Sequence, residues 1–143
     1  MLVVKKSTIP GSGKGLFTTK PIKKGDRIIE YEGDKLTWAE VRKRYHNDIL
    51  DANYLFWVKS NVWIDAQYTM DALARYANDA NGFSRVKGIT NNAQYDVIKQ
   101  VPYIVATKNI PAGAEIFVSY GADYWRFLKN KAGNENKTYR KAK

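Results

Sequence analysis

The chain has 143 residues, of which 44% are hydrophobic and 13% aromatic, enough to close one core and too many for a disordered chain. It contains no cysteine and a single histidine, His46, so disulfides and thiolate zinc sites are excluded and a Ser-His-Asp triad is left without support. The net charge of +10 is uneven: residues 126–143 carry seven Lys or Arg against Glu135 alone, which leaves +4 for residues 1–125.

These features predict one domain over residues 1–125 and a basic tail over 126–143, helical at its start. Such a tail either binds nucleic acid or another polyanion or is a solvated terminus. No apolar run approaches the roughly 20 residues that span a bilayer. The N-terminal Met1-Leu2-Val3-Val4-Lys5-Lys6 lacks the basic-then-apolar order of a signal peptide. The expectation is a soluble intracellular protein with no membrane partner, cytoplasm and nucleus both remaining open.

In chain order, short runs rich in Val, Ile, Tyr and Phe predict strands at residues 2–6, 15–19, 27–31, 54–58, 62–64, 94–98, 103–106 and 116–120. Turn signals such as Lys24-Gly25-Asp26, Ser60-Asn61 and Pro111-Ala112-Gly113 separate them. One segment differs. Thr37-Trp38-Ala39-Glu40 has the spacing of a capping box, and Trp38, Val41, Tyr45 and Ile49 then recur at helical intervals, which predicts a helix over 37–50. His46 falls in it among Arg42, Lys43, Arg44 and Asp48 and reads as a surface residue. Shorter helical turns are expected near 70–76 and 123–129. The polar stretch 77–93, flanked by regular structure on both sides, reads as an ordered working loop. The class is mostly β with a few short helices.

Three blocks carry the chemistry. Gly11-Ser12-Gly13-Lys14-Gly15-Leu16-Phe17 fails the Rossmann pattern, because its third glycine comes one residue early and strand rather than helix follows. It fails the P-loop as well, because Gly13-Lys14 is not followed by Ser or Thr. What remains is a turn that lets backbone approach a ligand closely. The second block runs from Trp63-Ile64-Asp65-Ala66 to Ala74-Arg75-Tyr76-Ala77-Asn78-Asp79-Ala80, and the third is Pro111-Ala112-Gly113-Ala114-Glu115-Ile116-Phe117-Val118-Ser119-Tyr120-Gly121.

In this order and spacing the blocks resemble the signature segments of the SET domain, the β-rich family of protein lysine methyltransferases. The resemblance implies a SET fold of β-clip type with a knot-like C-terminal threading, and S-adenosyl-L-methionine as cofactor. It places cofactor contacts on Lys14, Gly15 and Leu16 through backbone, on Arg75, Asn78 and Asp79, on Tyr120, and on Trp125 over the adenine face. Tyr120 falls on the catalytic tyrosine, with Tyr54 as a wall of the lysine channel. An Asn amide offers both a donor and an acceptor to a zwitterionic amino-acid moiety. Two positions depart from the family pattern: Asp79-Ala80 stands where His-Ser or His-Cys is usual, and Asn91-Asn92 where Pro-Asn is usual.

The implied reaction is in-line transfer of a methyl group to the neutral amine of a lysine. The implied substrate is a histone or another basic chromosomal or ribosomal protein. The competing expectation is a SET module without catalysis that binds nucleic acid or chromosomal protein through the basic tail. Whether two copies associate as a homodimer to complete the site is left open.

Overall fold

The computed structural model describes residues 1–46, 54–81 and 85–119. Among them lie ten short strands and one α-helix in three small sheets, so the predicted class is observed. No described helix is long and apolar enough to cross a membrane.

The first sheet joins β1 (Leu2–Lys6), β2 (Lys14–Thr18) and β9 (Glu115–Ile116), with β2 in the middle. β1 and β2 run antiparallel from Leu2↔Thr18 to Lys6↔Lys14. The glycine-rich segment between them is a loop closed by Ser7 N–H donating to the Gly13 carbonyl at 2.8 Å. Gly13 there has φ +67°, which only glycine adopts without a Cβ penalty.

The second sheet contains β3 (Arg27–Glu30), β7 (Ala93–Ile98), β8 (Val101–Ala106) and β10 (Val118–Ser119), in the order β10-β7-β8-β3. The third has β6 (Val62–Asp65) between β4 (Asp34–Leu36) and β5 (Leu55–Lys59). Buried Leu16, Tyr31, Phe56, Ile64, Ile104 and Val118 form one core shared by all three sheets.

Two expectations need correction. The run at 116–120 is not one strand. Ile116 pairs with Leu16 in the first sheet, whereas Val118 pairs in parallel with Ala93 in the second. The chain changes sheets at Phe117, and that crossing brings the ends of both sheets together. The knot-like threading is not shown by the described residues.

The helix α1 is Trp38–Arg44, ending well before residue 50; residues 47–50 and Ile49 lie outside the described set. Its start is as expected, with Glu40 N–H donating to Thr37 Oγ1 at 3.2 Å and Thr37 N–H to Glu40 Oε1 at 2.9 Å. Its end is set by a tertiary demand. Arg44 Nη1 and the Tyr45 hydroxyl both donate to Oδ2 of fully buried Asp65 on β6. Adjacent residues do not face the same way on a helix, so the chain leaves helical geometry at Tyr45 to meet one carboxylate. Burial, then the hydrogen bond and charge of Asp65, push the Tyr45 hydroxyl well above the ordinary tyrosine range, so it stays a donor.

The cap also predicts a pH dependence. The backbone and side-chain hydrogen bonds of Thr37 hold the Glu40 carboxyl below its ordinary value. The unfolded chain therefore binds more protons between the two pKa values, so stability rises with pH there and is lost as pH falls through the folded value. Thermal melts should show Glu40→Ala destabilising at pH 6 and converging on the parent as pH drops below about 4. A pH-independent gap would contradict a contribution from the ionised cap.

Candidate active site

The site is built where the glycine loop, the 73–80 segment and the β9–β10 crossing meet. Residues Leu73–Tyr76 form a 3-10 turn, the shorter version of the helical turn expected at 70–76. Ala74, Ala77 and Ala80 behind it are fully buried; their small side chains let this backbone run close to its neighbours. Asn78 is the joint. Its Nδ2 donates to the Lys14 carbonyl at 2.9 Å, and its own carbonyl accepts from Val118 N–H at 2.8 Å. One residue thus ties the end of the glycine loop to the C-terminal crossing.

Beside this joint lies a pocket of about 320 Å³ lined by Ser12, Gly13, Lys14, Tyr54, Met70, Arg75, Tyr76 and Asn78, near the lower end of the roughly 300–1,000 Å³ usual for small-molecule sites. Arg75 is 4% exposed. Its guanidinium stacks 3.9 Å from the Tyr54 ring centre and 5.1 Å from that of Tyr76. Nη1 donates to the Tyr76 hydroxyl at 3.0 Å and to Met70 Sδ at 3.1 Å, and Nη2 to the Gln67 carbonyl at 3.4 Å. Among the described residues its buried Nε has no hydrogen-bond partner, and the only ion pairs are those of Arg44. A guanidinium is always charged. The pocket therefore presents a cation held by aromatic faces rather than by a carboxylate, and it favours an anionic or electron-rich ligand group.

Tyr54 is itself fixed from below. The Tyr31 hydroxyl donates to the Tyr54 carbonyl at 2.9 Å. Burial, followed by neighbouring Tyr95 and Asp65, raises the Tyr31 pKa well above normal, so the donor stays neutral.

Of the residues singled out in the sequence, Lys14, Tyr54, Arg75 and Asn78 meet in this pocket. Gly15 and Leu16 are buried in β2, with Leu16 in the core, so only their backbone can serve a ligand. Asp79 does not line the pocket. Its Oδ1 accepts from Asn81 N–H and from Asn91 Nδ2, both at 2.8 Å, while Asn91 Oδ1 accepts from Ala80 N–H at 2.8 Å. Tyr120 and Trp125 lie outside the described residues.

The two departures from the family pattern, Asp79 and Asn91, are therefore partners. Each single change to alanine should cost about 1–3 kcal/mol, and the double change less than the sum, because both break one pair. Urea denaturation of the three variants measures this; strict additivity would contradict the pairing.

Sequence reasoning missed Asn92. Its Nδ2 donates to the Glu115 carbonyl at 3.0 Å, and its Oδ1 accepts from Phe117 N–H at 2.9 Å. It thus supports the crossing with side-chain atoms. The Asn91-Asn92 dipeptide within an ordered loop was the available signal. Met70 and Tyr76 were also missed as pocket walls, since each reads as an ordinary apolar or aromatic residue.

The SET domain family model matches residues 13–121, a span that contains the glycine loop from Gly13, the 73–80 segment and the crossing. The chain belongs to the SET domain family. It is 31% identical over 137 residues to the histone-lysine N-methyltransferase EZH2 of Chaetomium thermophilum, covering 90% of this chain and 9% of that protein. It is 30% identical over 122 residues to the N-lysine methyltransferase KMT5A-A of Danio rerio, covering 79% of this chain and 33% of the relative. A solved structure of ctPRC2 in an autoinhibited conformation bound to S-adenosylmethionine superposes with a TM-score of 0.67 at 27% identity, covering 94% of this chain and 16% of that one. This SET chain thus spans a third or less of the curated relatives named here.

Proposed function

We propose that this SET domain is an S-adenosylmethionine-dependent protein-lysine N-methyltransferase whose substrate is a histone or another basic chromosomal or ribosomal protein. The observation that carries the reading is the convergence of Lys14, Tyr54, Arg75 and Asn78 on one pocket beside the glycine loop.

The residues present fit the cofactor. Arg75 lines the pocket and has no ion pair among the described residues, which suits a carboxylate; the Asn78 amide suits an amino-acid head group; the aromatic walls and the loop backbone suit the rest. When bound, S-adenosylmethionine supplies an electrophilic methyl group on a sulfonium. The chain's own task is to deliver a neutral amine. Lysine is nearly all ammonium at neutral pH, with an ordinary pKa of about 10.4. Burial between tyrosine rings disfavours the charged form, and a nearby sulfonium charge would act in the same direction. The ring face of Tyr54 that would otherwise attract a cation is already covered by Arg75. Tyr120, at the end of the third block, orients the amine through its hydroxyl. The proton leaves through water, since carbon-centred transfer needs no acidic residue.

In a eukaryotic cell this reading places the protein with its substrate in the nucleus. The +6 segment 126–143 is then an accessory that binds a polyanion. The decisive experiment is transfer of labelled methyl from S-adenosylmethionine to core histones and to a basic ribosomal fraction, with the products read by mass spectrometry. Lysine methylation of either supports the reading. Absence of transfer together with salt-sensitive DNA binding would favour a non-catalytic module.

A further inference from the structure

Glu115 enters the glycine loop from β9 and is not among the residues that line the pocket. It is 5% exposed, and its carboxylate takes hydrogen bonds from Ser7 and Thr8 at the loop's entry. Ser7 Oγ donates to Oε2 at 2.7 Å, while Thr8 N–H and Thr8 Oγ1 donate to Oε1 at 2.8 and 2.7 Å. Ser7 is committed in turn: its Oγ accepts from Ile9 N–H at 3.1 Å, and its N–H donates to the Gly13 carbonyl at 2.8 Å. A buried carboxylate supplied with three donors replaces its lost hydration without a cation. Gly15 makes room for it, since a Cβ there would lie 2.2 Å from Glu115 Oε2. Glu115 and Gly15 are therefore one device in two pieces 100 residues apart in the chain.

We propose that Glu115 is a positioning residue for the cofactor pocket, fixing the loop so that Ser12, Gly13 and the Lys14 carbonyl stand where Asn78 and a ligand meet them. Asn78 holds the loop's exit through Lys14, buried Ile9 seats its middle against Ala80 and Phe117, and Glu115 holds its entry through Ser7 and Thr8. With the Glu115 anchor released, Ser12 and Gly13 are held less firmly on the pocket wall, while Tyr54 and Arg75, carried by other segments, keep their places. Binding must then order the loop again, which weakens affinity without altering the reacting groups.

This inference rests on the proposed cofactor reading, and its test separates the two. Hydrogen exchange on the protein alone reads the clamp. Glu115→Ala should lose protection of the Thr8, Ile9 and Ser12 amides relative to the parent while the β7–β8 hairpin keeps its own. Titration with S-adenosylmethionine then reads the consequence. The affinity of Glu115→Ala should fall by about tenfold, with turnover at saturating cofactor within about twofold, and Glu115→Gln should restore most of the affinity because an amide still accepts from Thr8. Should Glu115→Ala fail to fold, Ser7→Ala/Thr8→Val removes the side-chain donors from the loop side and should give the same pattern. Unchanged exchange and unchanged affinity in a folded variant would overturn the positioning role. Loss of loop protection in a protein whose parent does not bind the cofactor would instead overturn the cofactor reading.

Discussion

Asn78→Ala is expected to weaken S-adenosylmethionine binding by about tenfold or more and to lower stability by about 1 kcal/mol. The two effects share one cause. The Nδ2 bond to the Lys14 carbonyl closes the pocket wall, and its loss frees the loop exit while removing a side-chain amide that lines the pocket. The bond from Val118 N–H goes to the Asn78 main chain, so the β9–β10 crossing survives and the fold should persist. Asn78→Asp is the sharper variant. It matches the shape but sets a carboxylate oxygen against the Lys14 carbonyl, so it should bind more weakly than alanine. Calorimetric titration and thermal melts measure both; an Asn78→Asp variant that binds like the parent would remove Asn78 from the site.

Tyr120→Phe should reduce methyl transfer by about tenfold or more and leave cofactor affinity within a few-fold. The change deletes one hydroxyl and keeps the ring, so it removes the group proposed to orient the amine with little change in side-chain volume. An interaction made only in the transition state lowers kcat rather than raising KM. Single-turnover transfer separates the two parameters. Near-parental turnover would sink the assignment of Tyr120, and a large loss of affinity with unchanged turnover would make it a cofactor contact only.

The sequence made most of the strand pattern legible, because β-branched and aromatic runs bounded by Gly, Pro and Asn turns mark strands directly. It hid features set by tertiary partners. Nothing local distinguishes Ile116 from Val118, yet they join different sheets. Helix α1 stops at Arg44 because Arg44 and Tyr45 share Asp65, a residue some twenty positions away. Strand β4, only Asp34–Leu36, is too short and too charged to read as a strand. The β7–β8 hairpin turns through Lys99 and Gln100 at φ 51° and 67°, where the usual Asn-Gly signal is missing.

The candidate site divides in the same way. Lys14, Arg75 and Asn78 were legible as members of ordered motifs. The stacking of Arg75 on Tyr54 was not, since a buried cation without a carboxylate has no linear signature. Asp79 and Asn91 looked like independent departures and are a hydrogen-bonded pair. Gly15 reads as ligand-approach flexibility from sequence, whereas its surroundings show that it makes space for Glu115.

The pocket formed by the glycine loop, Tyr54, Arg75 and Asn78 is proposed to hold S-adenosylmethionine. Calorimetric titration of the full chain with the cofactor tests it most directly, needing no knowledge of the substrate. Saturable one-to-one binding that Asn78→Ala weakens is the predicted result; no heat of binding up to millimolar cofactor, or affinity indifferent to Asn78, would contradict it.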